Sequence, residues 1–187
     1  CARPVALSQP EERRIVTIVF ADLVGFTTLA ERMDPEQVKR LIDACFERLV
    51  DVVVEFGGKV DKILGDGMLV LFGAPVAHEN DPERAVRAAL RMQETLAHYV
   101  ATSELAGSAD IRMRVGINTG EVVANDDPTA DQKLATGDAV NVAARLEQAA
   151  PVDQIYLGET TWRLVRDAVE VEAVEPLALK GKSERVA

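Results

Sequence analysis

Hydrophobic and polar positions alternate in blocks whose periods differ, and these periods set the expected elements. Arg14 to Asp22, RIVTIVFAD, is β-branched and nearly continuous in apolar character, the pattern of a strand buried on both faces that ends at Asp22. Cys1 to Arg13 is polar and contains prolines, so it reads as a leader ahead of a single domain spanning residues 14–187. From Asp34, an Asp-Pro-Glu start opens a long helix with Val38, Leu41, Ile42, Cys45, Phe46, Leu49, Val52 and Val53 at helical spacing, closed by Gly57-Gly58. A hairpin over Gly57 to Pro75 follows, then a second helix from about Pro82 to Ala101 behind another Asp-Pro-Glu start, then a loop from Ser103 to Asp110. Ile111 to Ala124 reads as a strand pair broken by a glycine turn, Asn125 to Lys133 is polar and turn-rich, and its acidic run Asn125 to Asp127 reads as a solvated loop tip. Asp138 to Ala150 is a helix stopped by Pro151. Gln154 to Leu157 is a short strand, Glu159 to Ala168 is amphipathic, and Val169 to Val186 is extended. Trp162, with Leu164 and Val165, reads as core packing. Hairpins mixed with crossovers predict an α+β fold, with helices packed on a mainly antiparallel sheet.

Composition narrows the classes. The chain has 187 residues, 48% hydrophobic and 4% aromatic, which suits one compact domain with an aliphatic core. A formal charge of −10 disfavours a nucleic-acid reader with a broad basic face, so an anionic ligand must be small and locally compensated. No apolar run approaches the length of a bilayer span and no secretory pattern opens the chain, so a cytoplasmic domain without direct membrane contact is expected. The first residue is not Met, as expected of a piece of a longer protein or of a processed or engineered start. Of two cysteines, Cys1 lies at the end and Cys45 on an apolar helical stripe, so no disulfide framework or cysteine metal site is indicated. His78 and His98 are isolated and read as surface residues.

Candidate chemistry appears in two places. In GGKVDKILGDGMLVLFGAP, Gly57 to Pro75, an otherwise apolar hairpin carries Lys62 near its tip and Asp66 at it. Asp22 ends the first strand, and both aspartates have glycines nearby, Gly25 for one and Gly65 and Gly67 for the other, which permit close approach. Two carboxylates on adjacent strands repel unless a divalent cation sits between them, and hard oxygen ligands with open positions suit Mg²⁺ or Mn²⁺. Asp-Gly is also a hairpin dipeptide in its own right, so spacing alone favours two turn residues. In DAVNVAARLE, Asn141 and Arg145 are four apart and share a helical face, where an amide and a guanidinium can grip an oxyanion. An ordinary helix capped by Asp138, with both residues solvated, fits the same letters.

Five segments, FADLVGFT (Phe20 to Thr27), GGKVDKILGDG (Gly57 to Gly67), RVGINTGEV (Arg114 to Val122), GDAVNVAARLE (Gly137 to Glu147) and LKGK (Leu179 to Lys182), resemble in order and spacing those of class III nucleotidyl cyclases. The resemblance runs from about Arg14 to the end. It implies a ferredoxin-like, palm-type fold and a head-to-tail homodimer with shared sites. Asp22 and Asp66 match the metal aspartates, with the Leu23 carbonyl as a further ligand for two Mg²⁺ or Mn²⁺ ions per site. Lys62 matches the lysine that reads adenine in adenylate cyclases, where guanylate cyclases have glutamate. Asn141 matches the ribose-orienting asparagine, Arg145 the arginine at the α-phosphate, and Arg114 and Lys180 the cations on the outer phosphates. The implied reaction takes ATP to cyclic AMP and pyrophosphate by in-line attack of the ribose 3′-hydroxyl. One position departs from the pattern: the adenine-contacting residue, usually Asp or Thr, falls on Leu134, which cannot accept a hydrogen bond from the adenine amino group. Thr136 and Asp131 are the nearest substitutes. The competing expectation is a nucleotide-binding or dimerisation module that kept the fold and lost catalysis. A diguanylate-cyclase palm is remoter, because the chain has no GGDEF signature.

Overall fold

The computed structural model describes residues 12–25, 29, 33–104, 106, 109–124 and 135–174. Within them one sheet is sandwiched between helices. Its strands are β1 (Glu12–Val24), β2 (Lys59–Leu64), β3 (Gly67–Phe72), β4 (Arg112–Ala124), β5 (Ala135–Thr136) and β6 (Ile155–Leu157). The helices are α1 (Pro35–Glu55), α2 (Asp81–Thr102), α3 (Asp138–Ala149) and α4 (Glu159–Val165). The strand order is β2-β3-β1-β4-β5, with β6 parallel to β4 and the other pairings antiparallel. The expected α+β architecture is therefore the one observed.

Period-two alternation assigns each residue of the central strands to a face. Val19, Ala21 and Leu23 of β1, with Met113, Val115 and Ile117 of β4, meet Leu41, Cys45, Phe46 and Leu49 of α1 and Ala85, Ala89 and Met92 of α2. Val16 and Ile18 of β1, Leu69 and Leu71 of β3 and Val122 of β4 meet Ala139 and Ala143 of α3. Both faces of β1 are covered, as its unbroken apolar run requires. Asp22 and Arg114 belong by parity to the α3 face, whereas the Leu23 side chain is buried beneath α1 and α2. Cys45 is a buried free thiol, and burial pushes it up to about 11, so it stays protonated and inert.

Three expectations need correction. The segment Ile111 to Ala124 is not a strand pair: β4 runs unbroken from Arg112 to Ala124 and pairs with β1 along its whole length. Its glycines serve helix packing rather than a turn. A Cβ on Gly116 would lie 2.2 Å from the Glu147 nitrogen and 2.4 Å from the Ala143 oxygen, and one on Gly120 would lie 2.7 Å from the Ala139 Cβ. The first strand begins at Glu12 rather than Arg14, because pairing with β4 continues outward and Arg13 meets Glu121 at 2.9 Å. Trp162 and Leu164 are 40% and 60% exposed, since α4 buries its Thr161 and Val165 edge instead.

Because α3 rests directly on Gly116, Gly116→Ala is expected to lower unfolding free energy by about 1–3 kcal/mol, the range for overpacking a tight contact. Urea denaturation followed by circular dichroism measures this, and an unchanged midpoint would contradict the packing.

Candidate active site

The register of β1 sets Asp22 opposite Gly67 on one side and Arg114 on the other. The backbone N–H of Leu23 donates to the Asp66 carbonyl at 2.8 Å, fixing the hairpin tip against the end of β1. Gly65 takes the left-handed conformation, φ 69°, that this tight turn needs. A Cβ on Gly67 would sit 3.4 Å from the Ala21 oxygen and 3.6 Å from Asp22 Oδ1, so glycine there keeps the space beside the carboxylate open. Asp66 is exposed and Asp22 half-buried. Lys62 lies four residues before Asp66, just past a register shift between Val60 and Lys62 that re-aims this part of β2. Its ammonium is 3.4 Å from the Asp61 carboxylate, whose side chain is only 2% exposed.

Arg114 ties the corner together. Its Nε and Nη2 donate to Asp22 Oδ2 at 3.1 and 2.8 Å. Nε is also 2.8 Å from Oε1 of Glu147, which is 7% exposed on the last turn of α3. The Nε–H is aimed at Asp22, so the Glu147 contact is an ion pair rather than an aligned hydrogen bond. Burial, reinforced by the charge of Asp66, raises the Asp22 carboxyl above its ordinary 3.8 despite Arg114. Burial also raises Glu147, with Asp22 and Asp66 adding to the effect and Arg114 opposing it. Two carboxylates sharing one guanidinium, with a third nearby, make a corner short of positive charge.

That shortage fits a divalent cation. Among the described residues no cluster of three or more His, Cys, Asp and Glu side chains is arranged to hold a metal. A cation here would have Asp22, Asp66 and backbone oxygen, leaving positions open for substrate, as Mg²⁺ and Mn²⁺ prefer. The structure thus brings Asp22, Leu23, Asp66 and Arg114 together. Asn141 and Arg145 stand apart on α3, one exposed and the other half-buried, and no hydrogen bond or ion pair joins either to the corner among the described residues. Leu134, Asp131 and Lys180 lie outside the described residues. So do residues 1–11 of the expected leader, the acidic 125–127 loop tip and the end of the extended tail. Sequence reasoning missed Glu147, whose signal was an acid two residues past Arg145, turned toward the apolar side of the helix. It also missed Asp61 beside Lys62.

The chain as a whole has known relatives. Residues 8–187 match the family described as the adenylate and guanylate cyclase catalytic domain. The adenylate cyclase 1 of Rhizobium meliloti (strain 1021) is 35% identical over 137 residues, covering 72% of this chain and 21% of that protein. Among solved structures, the guanylyl cyclase Cya2 superposes with a TM-score of 0.87 at 34% identity, covering 95% of this chain and 91% of that one. The adenylyl cyclase CyaB from P. aeruginosa gives 0.88 at 27% identity, covering 95% and 93%. The chain belongs to the adenylate and guanylate cyclase catalytic domain family. It spans 21% of the length of the Rhizobium relative and 32% of the adenylate cyclase of Streptomyces coelicolor. No described helix is long and apolar enough to cross a membrane.

The raised Asp22 carboxyl has a consequence for stability. Its charged form is disfavoured by folding, so the cost is present above the folded pKa and absent below the ordinary 3.8. Asp22→Asn is therefore expected to match or exceed the wild type in stability at neutral pH without metal, and the gap should close on acidification. Thermal melts in chelator across that range test this, and an advantage that grew as the pH fell would contradict the assigned shift.

Proposed function

We propose that this domain is an adenylate cyclase, converting ATP to 3′,5′-cyclic AMP and pyrophosphate at sites shared across a head-to-tail homodimer. The observation that carries the reading is the corner where the Leu23–Asp66 backbone bond holds Asp66 beside Asp22, with Lys62 in the same hairpin. Asp22 and Asp66, with the Leu23 carbonyl, would hold two Mg²⁺ or Mn²⁺ ions, which supply activation of the ribose 3′-hydroxyl and charge to set against the triphosphate. Arg114 and Lys180 grip the outer phosphates, and Arg114 must swing away from Asp22 to do so. Asn141 orients the ribose for in-line attack, an advantage of position rather than of covalent chemistry. Arg145 offsets charge developing at the α-phosphate, a contribution of about 3 kcal/mol when one preorganised donor of this kind is removed.

Lys62 favours ATP over GTP. An ammonium only donates, which suits the unprotonated N1 of adenine, whereas guanine presents an N1–H that needs an acceptor. The similarity to Cya2, a guanylyl cyclase, does not distinguish the two substrates, so the choice rests on this lysine. Sharing between protomers follows from the resemblance: metals would be held by one chain while Lys62, Asn141 and Arg145 come from the other, in keeping with the lack of a hydrogen bond or ion pair from Asn141 or Arg145 to the corner among the described residues. Each hairpin then serves two sites, Asp66 at one and Lys62 at the next. Leu134 favours a second reading, a cyclase-like module with a decayed base pocket, because leucine offers the adenine amino group no acceptor.

An Asp22→Ala chain and an Arg145→Ala chain are each expected to be inactive alone and to regain activity when mixed, since one of the two heterodimer sites retains every group. Cyclic AMP formation on mixing measures this. Heterodimers that form and stay inactive would contradict the shared site.

A further inference from the structure

We infer that Arg114 is a resident counter-ion that competes with the divalent cation for Asp22, and that Glu147 is the positioning residue that keeps Arg114 in the site when Asp22 lets it go. The inference rests on the reading of Asp22 and Asp66 as metal ligands. Both guanidinium contacts fall on the same oxygen, Oδ2, at 3.1 and 2.8 Å, while Oδ1 faces the open side by Gly67. Asp22 can therefore meet one cation through Oδ1 with Arg114 in place, but it cannot bridge two without releasing Oδ2. A released guanidinium on a free side chain would be lost to solvent. Here it stays within reach of Glu147, 2.8 Å from Nε.

Glu147 is well placed for that task. It is buried, and its backbone is pressed onto β4, where a Cβ on Gly116 would lie 2.2 Å from its nitrogen. Its carboxylate is thus a fixed point rather than a mobile surface acid. Arg114 shares its charge between a fixed anion and a ligand anion, and only the second must be given up. The same helix carries Asn141 and Arg145, with Arg145 two residues before Glu147 and so facing away from it. One rigid element would then present groups to the partner's site while anchoring the phosphate-binding arginine of its own.

Mn²⁺ affinity of the nucleotide-free protein, read from free-ion paramagnetic resonance, tests this in a double-mutant cycle. Arg114→Gln is expected to tighten Mn²⁺ by about tenfold, the scale at which groups behind metal ligands act. Glu147→Gln should weaken Mn²⁺ by a similar factor when Arg114 is present, because the guanidinium then settles wholly on Asp22. In the Arg114→Gln background Glu147→Gln should have little effect. An equal loss in both backgrounds would show that Glu147 acts only through its charge, and would overturn the inference. So would Asp22-dependent binding that Arg114→Gln leaves unchanged. Mn²⁺ binding that Asp22→Asn does not affect would overturn the inference together with the metal reading beneath it. Circular dichroism confirms that each variant is folded, and Arg114→Lys, which keeps the charge but loses the two-pronged grip, should fall between wild type and Arg114→Gln.

Discussion

The pairing of β1 with both β3 and β4 is the constraint on which the rest depends. Thr17 to Asp22 run antiparallel to Phe72 to Gly67, and the opposite edge of β1 is paired to β4 from end to end. Side chains alternate with a period of two, so a slip of one residue would send Asp22 into the α1 and α2 core and bring Leu23 to the site. The register is enforced from both faces. Val19, Ala21 and Leu23 fill one core while Val16 and Ile18 fill the other, so no slipped pairing satisfies both. A strand chosen to be unambiguous therefore delivers one carboxylate to a fixed point, and the Leu23–Asp66 bond delivers the other.

Packing that fixes the corner also leaves it electrostatically unfinished. Asp22 and Glu147 share Arg114, Asp66 adds to the negative field, and burial raises both half-covered and buried acids. In a chain of net charge −10, substrate polyphosphate would meet strong repulsion without local compensation. In the proposed reading Arg114 would supply part of it and a divalent cation the rest. The site is thus stable enough to persist and open enough to bind, a combination expected where function overrides local charge balance.

Much of this was legible in the letters, and the exceptions have physical causes. α1 and α2 are readable because their apolar residues recur at helical spacing behind Asp-Pro-Glu starts, and the meeting of Asp22 with Arg114 and the Asp66 turn because β1 pairs with both β3 and β4; Lys62, Asn141 and Arg145 rest on the resemblance of their segments alone. The single strand β4 was misread at Gly116 and Gly120, since glycine marks a turn locally but here marks a helix lying across the sheet, a tertiary fact. Trp162 was misread because α4 is too short for its apolar residues to define a face, and Thr161 and Val165 took the buried edge. Glu147 was overlooked because its importance lies in Arg114, 33 positions earlier on another element.

In the proposed reading, Asp22 and Asp66 form a catalytic corner and Lys62 directs it to adenine. The most direct measurement is kcat/KM of the purified domain for ATP and for GTP with Mn²⁺, beside Leu134→Asp. The account predicts cyclic AMP from ATP, a weak preference over GTP, and sharper selectivity in Leu134→Asp, because only a placed acceptor can penalise the wrong base strongly. Turnover of GTP alone, or no cyclic AMP from a folded dimer, would contradict it.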